Sequence, residues 1–173
     1  FMGVDLLDRI LDKIVAECPA ARPQVWRFNW GEPLLHPDLG ALVAAVKRLG
    51  LRCHLSTNLN VHRGLRELAR ANPDELKISL SGFTPERYAR THARGQLRLV
   101  KANMHLLRHW LDEEGATTRV WVGHHLYRDS EHEVPAVKAL CDELGYEHAP
   151  IAAFYQPLER LVELLEGGAA TRP

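Results

Sequence analysis

Residues Trp30-Gly31-Glu32-Pro33 combine residue types that can bind a cationic group of a ligand. Gly31 has no side chain, which lets a ligand approach the backbone closely, and Pro33 stiffens the turn. Glu32 presents a carboxylate beside main-chain carbonyl oxygens, and these acceptors suit an ammonium group. A solvated glutamate in a proline-containing loop is the alternative that the residues alone leave open.

Polar residues also follow two other apolar segments of the chain. The turn Ser56-Thr57-Asn58 ends one of these segments, and Ser79 and Ser81 lie at the end of another. Parallel α/β folds gather their chemistry at the C-terminal ends of the strands. We therefore expect the residues at these strand ends to contact a ligand.

Ten histidines raise the question of a metal site, and the densest group is His124-His125 with His132 and Glu133. A hydrolytic metal site needs about three side chains that converge on one ion. Adjacent residues of a strand point to opposite faces, so only one of the two neighbouring histidines can face a central site. We predict no metal site here, with one histidine lining a pocket and the other facing outward. His54 is expected at the surface or in a loop.

Apolar periodicity indicates a regular alternation of helices and strands. Strands are predicted near residues 25–28, 51–55, 75–80, 120–122 and 146–154, with helices before, between and after them. Such an alternation predicts a parallel sheet with right-handed crossovers, either an open doubly wound sheet or an arc of a barrel. Asp5 is the expected N-cap of the first helix, and Trp26 and Trp121 are expected in the core.

The composition is that of one globular domain, assigned to residues 1–166, with a linker or truncated tail at 167–173. The 22 basic and 22 acidic side chains balance, so no nucleic-acid partner is predicted. No apolar run approaches the roughly 20 residues that span a bilayer, so no membrane partner is predicted and a cytoplasmic location is expected by default. The three cysteines, Cys18, Cys53 and Cys141, are far apart and are expected to be reduced and mostly buried.

Three segments, in this order along the chain, resemble the radical S-adenosylmethionine (radical SAM) superfamily. Residues 31–33, Gly-Glu-Pro, resemble the family's Gly-Gly-Glu-Pro motif, with Trp30 in place of the first glycine. Residues 55–58 resemble the end of the family's third strand. Residues 77–88 are similar to the fourth strand and following helix of members that carry a C-terminal cluster-binding extension. The likeness covers most of residues 1–111.

The resemblance implies an α/β fold: a partial (βα)6 TIM-like barrel of parallel strands with outer helices, whose first strand is missing. It implies S-adenosylmethionine and a [4Fe–4S] cluster as cofactors. Its implied reaction is reductive cleavage of S-adenosylmethionine to a 5′-deoxyadenosyl radical, which abstracts hydrogen from a small-molecule or peptide substrate. An external electron donor is then a further partner.

The resemblance also assigns ligand contacts to the residues at the strand ends. Gly31, Glu32 and Pro33 are expected to hold the amino group of the methionine moiety. Ser56 and Asn58 are expected near the bound cofactor at the end of the third strand.

Three further contacts follow from the same resemblance. Ser79 and Ser81 are expected to face the ribose or the carboxylate, and Arg94 is a candidate partner of the carboxylate.

The family binds its cluster through a C-x3-C-x2-C loop, and this motif does not occur in the sequence. We expect the cluster ligands to lie outside this chain by truncation, so that the parent protein is an enzyme and this chain alone is inactive.

Two other functions stay open at this point. The chain could be a cluster-free barrel that acts as a scaffold or a peptide-binding module. It could also be an unrelated α/β enzyme that uses Glu32 and a histidine in acid–base catalysis.

Overall fold

The computed structural model describes residues 2–19, 23–26, 31–92, 94–127 and 129–152. The strands are β1 (Gln24–Trp26), β2 (Arg52–Thr57), β3 (Glu75–Leu80), β4 (Arg119–Leu126) and β5 (Glu147–Ala152). The helices are α1 (Val4–Glu17), α2 (Leu39–Arg48), α3 (Leu65–Ala71), α4 (Pro85–Thr91), α5 (Leu97–Glu113) and α6 (Val134–Leu144). Short 3₁₀ turns cover Pro33–Leu35 and Glu131–Glu133.

The five strands form one sheet in the order β1-β2-β3-β4-β5, and every neighbouring pair is parallel. A doubly wound sheet reverses its strand order at a switch point, whereas a barrel keeps the sequential order. The observed order therefore confirms the predicted α/β fold and is that of an arc of a barrel with its helices outside.

Strand β3 separates the two faces of this sheet. Leu76, Ile78 and Leu80 are buried in the core that the sheet shares with the helices. Successive side chains of a strand alternate between its faces. The other residues of β3, together with Ser81 just after it, therefore lie on the opposite face of the sheet. We call this the inner face, and it carries Glu75, Lys77, Ser79 and Ser81.

The N-terminal end of the inner face is filled by a network that we call the charge-paired layer. Glu75 accepts hydrogen bonds from Trp121 Nε1 at 2.8 Å and from Arg119 Nη1 at 2.7 Å. Arg119 also donates to Glu147, from Nε at 2.7 Å and from Nη2 at 2.5 Å. His54 Nδ1 lies 3.6 Å from Glu75 Oε1. Burial acts to raise the pKa of the Glu75 carboxyl, but these donors and the His54 charge outweigh it and lower that pKa.

Several predictions about individual residues are wrong, among them that of Trp121, which is half-buried on the inner face and outside the core. Trp26 is 53% exposed rather than part of the core, because β1 places it on the inner face, away from the helices. His54 is 6% exposed rather than on the surface, since it lies within β2 and Trp26 stacks on it at 4.6 Å. Helix α1 begins at Val4 with Gly3 as its N-cap, and Asp5 lies in the first turn, where its charge still suits the helix dipole.

Two further predictions fall outside the described residues: the helix near residues 157–165 and the tail at 167–173. None of the helices within the described ranges has the length and hydropathy needed to cross a membrane.

Candidate functional site

Glu32 joins the loop after β1 to the C-terminal end of β2. Its Oε1 accepts hydrogen bonds from Leu34 N at 3.1 Å and from Thr57 Oγ1 at 2.6 Å. Its Oε2 accepts a hydrogen bond from Asn58 N at 2.8 Å. A carboxylate oxygen has two acceptor positions, so these protein donors leave one position on Oε2. The main role of Glu32 is therefore that of a brace, which holds the loop against the end of β2. The ammonium group of a ligand could bind only at the remaining acceptor position.

Thr57 extends the brace into the loop between β2 and α3. Its side chain is 3% exposed, and its Oγ1 accepts a hydrogen bond from Leu59 N at 3.0 Å while it donates to Glu32. Leu59 adopts a positive φ of 53°, and its carbonyl accepts a hydrogen bond from Asn103 Nδ2 at 2.7 Å. Buried polar groups with several partners hold a loop in one conformation. The backbone at the end of β2 is thus fixed before any ligand binds.

Asn60 connects the same loop to the turn that carries Arg94. Its Nδ2 donates to the hydroxyl of the buried Tyr88, and its Oδ1 accepts a hydrogen bond from Gln96 N at 2.8 Å. Arg94 is exposed, with a positive φ of 64°. Among the described residues, no hydrogen bond or ion pair joins its side chain to the other predicted ligand contacts. The structure brings the turn toward the site without fixing the guanidinium there.

Hydroxyl groups line the C-terminal end of the inner face. Ser56 Oγ and Ser79 Oγ, both half-buried on adjacent strands, lie 3.2 Å apart. Ser81 Oγ lies 3.3 Å from Nδ1 of His125, which belongs to β4. The loop after β1 thus contacts the end of β2 through Glu32, and β2 and β3 are joined at the same edge of the sheet by the serine pair.

The two neighbouring histidines of β4 lie on opposite faces, as their spacing predicts. His125 lies on the inner face, where burial, then the charges of Lys77 and His92, lower the pKa of its imidazole. His124 is not exposed: it is fully buried on the helix side, with Nδ1 3.4 Å from His148 Nε2. Glu133 is 4% exposed and accepts hydrogen bonds from two backbone amides at the start of α4.

A groove of about 260 Å³ lies beside the first 3₁₀ turn, against the starts of α2 and α3. Its lining includes Leu34, His36, Arg63 and Glu67 but none of the residues predicted to contact a ligand. The groove is therefore separate from the strand-end site.

The model of the Radical SAM superfamily matches residues 3–134. The chain belongs to the radical SAM superfamily. S-adenosylmethionine and a [4Fe–4S] cluster are the cofactors of this family. A comparison with curated proteins finds no match.

Solved radical SAM structures share the fold of this chain at low sequence identity. Streptococcus suis SuiB bound to S-adenosylmethionine has a TM-score of 0.70 and 14% identity, over 95% of this chain and 40% of that one. SuiB bound to its precursor peptide SuiA gives the same TM-score and identity, over 39% of that chain. TYW1 with a lysine-pyruvate adduct bound has a TM-score of 0.62 and 16% identity, over 88% of this chain and 52% of that one. The chain thus spans about two fifths of the SuiB structures.

The described residues of this radical SAM chain do not fit a [4Fe–4S] cluster. Such a cluster is held by several cysteine thiolates that converge on it. Cys53 and Cys141 are buried, Cys18 is exposed, and the described residues contain no group of three or more metal-ligating side chains. Burial also raises the pKa of the Cys141 thiol to about 11, which disfavours the thiolate.

The strand ends offer hydroxyl groups that can bind a polar ligand. The hydroxyls of Ser56 and Ser79 are half-buried and bond only to each other within the described part of the chain. Each can exchange that bond for one to a ribose or carboxylate oxygen.

Sequence reasoning missed the roles of two residues at this site, Thr57 on the core side of β2 and Lys77 on the inner face. Thr57 lies inside a segment that the sequence analysis identified, but its buried contact with Glu32 depends on the tertiary fold. Lys77 could have been found, because alternation along β3 places it on the same face as Ser79.

Proposed function

We propose that this chain is the S-adenosylmethionine-binding core of a radical SAM enzyme. The family's cofactors supply a 5′-deoxyadenosyl radical, which abstracts a hydrogen atom from the substrate. The observation that supports this proposal most directly is the brace from Glu32 to Thr57 and Asn58, beside the hydroxyl pair of the next two strands. These contacts bring three motifs of the family to one edge of the sheet.

In the proposed complex, the loop at 31–33 binds the ammonium group of S-adenosylmethionine. The remaining acceptor position of Glu32 and the carbonyl groups of the loop are its acceptors. Thr57 acts as a positioning residue, because it holds the Glu32 carboxylate in place. Ser56 and Asn58 lie beside the bound cofactor.

The next strands contribute the remaining proposed contacts. Ser79 and Ser81 bind the ribose or carboxylate oxygens, and His125 holds the Ser81 hydroxyl. Arg94 reaches the carboxylate from the turn between α4 and α5.

The substrate that we propose is a peptide, with an external electron donor as a further partner. The SuiB structure with its bound precursor peptide supports this choice, since it shares the fold over nearly the whole chain. The cluster ligands come from outside the described residues, so we expect this chain alone to bind S-adenosylmethionine without cleaving it. A cytoplasmic location is part of the proposal.

The test is calorimetric titration of S-adenosylmethionine into the wild-type chain and into Glu32→Ala. Loss of the brace and of its remaining acceptor should weaken binding by about 1–3 kcal/mol. The matched control is Glu114→Ala. This glutamate also accepts hydrogen bonds from two side chains, Arg66 and Arg70, but lies at the opposite end of α5 from the turn that Asn60 holds.

Equal affinities for the wild type and Glu32→Ala would remove the loop from the site. If the wild-type chain binds a peptide but no S-adenosylmethionine, it acts instead as a peptide-binding module.

A further inference from the structure

Lys77 differs from the other lysines in its electrostatic partners. Lys13, Lys47 and Lys138 each form a salt bridge with a carboxylate. Lys77 and Lys101 instead lie over aromatic rings, and among the described residues neither has a carboxylate within salt-bridge distance. Burial lowers the pKa of both amines, but the charge of Glu133 partly offsets this effect at Lys101, whereas burial alone acts on Lys77. Among the residues that the structure describes, Lys77 is therefore a half-buried amine with no charged partner.

The side chain of Lys77 lies against the inner face of β4. Its Nζ is 5.2 Å from the centroid of the Trp121 ring. A Cβ atom at Gly123 would lie 2.6 Å from Lys77 Cε, which is closer than atoms can pack. Gly123 is the register partner of Ser79. The missing side chain at Gly123 thus lets the amine run from the middle of β3 toward the layer of the serine hydroxyls.

The groups around this amine complement an anion. Ser56 is the register partner of Lys77, and its hydroxyl is bonded to that of Ser79. His125 shares a hydrogen bond with the Ser81 hydroxyl, and after burial the charge of Lys77 contributes to lowering the pKa of its imidazole. The nearest acidic residue along the strand, Glu75, is already bound by Trp121 and Arg119. A half-buried ammonium group with hydroxyl and imidazole groups beside it suits a carboxylate.

We propose that Lys77, together with His125 and the Ser56 hydroxyl, binds a carboxylate group of the substrate on the inner face, while Ser79 and Ser81 keep their proposed contacts to S-adenosylmethionine. This inference rests on the proposed function, which places the substrate and S-adenosylmethionine at the same strand ends. The carboxylate of S-adenosylmethionine offers the same chemistry from a second source, and the experiment separates the two.

The experiment follows the Cε resonances of the lysines by NMR in the whole chain while succinate is added, with succinamide as the uncharged probe. Succinate should shift the Lys77 resonance saturably, on the order of millimolar ligand, and raise the pKa of that amine. Lys101, the other lysine that lies over an aromatic ring, is the internal control and should not shift. Lys77→Met should weaken the succinate affinity about tenfold, measured by calorimetry, whereas Lys101→Met should leave it unchanged.

A second variant keeps the lysine and displaces it. Gly123→Ala should push Lys77 away from β4 and reduce the succinate-induced shift, with the circular dichroism spectrum unchanged. Loss of the shift in this folded variant supports the subsite even if Lys77→Met folds poorly.

The second arm compares S-adenosylmethionine with its decarboxylated analogue. Lys77→Met should bind both as the wild type does. If Lys77→Met weakens S-adenosylmethionine but not the analogue, the amine serves the cofactor and the substrate subsite is wrong. Absence of a succinate shift at Lys77 in the wild type also overturns the inference. Failure of the wild type to bind S-adenosylmethionine overturns the proposed function instead, and the succinate result is read independently of it.

Discussion

The two ends of the inner face differ in how far the protein itself compensates the charges of their side chains. At the N-terminal end, Glu75 is matched by Arg119 and by the Trp121 indole, so its charge is compensated within the protein. At the C-terminal end, Lys77 and the Ser56–Ser79 pair have no charged partner among the described residues. One strand, β3, therefore carries a carboxylate with several partners and, two residues further on, an amine with no carboxylate partner among the described residues.

The difference agrees with the separate roles that the two ends of the strands have in a parallel barrel. Residues at the N-terminal ends of barrel strands serve stability, and residues at the C-terminal ends serve binding. A buried charge without a partner costs stability, so a protein keeps it where a ligand supplies the partner. The comparison predicts that removal of the Glu75 charge lowers the free energy of unfolding and that removal of the Lys77 charge raises it.

The largest effect is expected at Glu75. Glu75→Ala leaves the Trp121 indole without its acceptor and Arg119 without one of its two carboxylates, which should lower the free energy of unfolding by about 2 kcal/mol. Ser79→Ala loses one half-buried hydroxyl pair and should cost about 0.5 kcal/mol. Urea unfolding of both variants measures the difference. Equal costs would remove the distinction between the two layers.

Acid should weaken the charge-paired layer next. The pKa of Glu75 is lower in the folded protein than its ordinary value of 4.5, so the unfolded chain takes up the proton first as the pH falls. The stability that Glu75 contributes is full above that ordinary value and is lost as the pH falls through the folded pKa. Urea midpoints followed through this range should fall less steeply for Glu75→Gln than for the wild type. If the urea midpoints of the wild type and Glu75→Gln fell in parallel with pH, the hydrogen bonds to Glu75 would not stabilise the folded protein.

The smallest effect, with the opposite sign, is expected at Lys77. Lys77→Met removes a partly desolvated charge that has no carboxylate partner among the described residues, and it should raise the free energy of unfolding at neutral pH by up to about 1 kcal/mol. Burial lowers the pKa of Lys77, so the wild type should regain stability relative to the variant as the pH rises toward the ordinary lysine value of 10.5. The control Lys47→Met breaks the salt bridge to Asp74 and should destabilise the protein. Destabilisation by Lys77→Met of the same size as that control would mean that the amine has a structural partner.

Local patterns predicted most of the elements. The alternation of residues 75–80 matches β3 at both ends, and Gly145, with a φ of 65°, ends α6 as the sequence indicates. Thr84 precedes α4, and Pro85 is its first residue. These signals depend on residues close together in the chain, which is why they could be read without the tertiary structure.

The errors occurred where burial depends on distant elements. Trp26 lies in a strand of three residues, too short for its alternation to indicate which face the helices cover. His54 is buried by its stack with Trp26 and its neighbour Glu75, and neither contact is visible in the local sequence. The contacts of Glu32 with Thr57 and Asn58 could not be predicted either, because these partners come from the end of β2 and the loop that follows it.

Local periodicity and short motifs were enough to predict the order of helices and strands, the parallel sheet and the family motifs at three strand ends. The folded chain was needed to show that Glu32 is a brace, that the inner face has a charge-paired end and an open end, and that Lys77 has no carboxylate beside it among the described residues. These are contacts between residues more than twenty positions apart. Their presence depends on strand register and on which face each strand turns toward the helices.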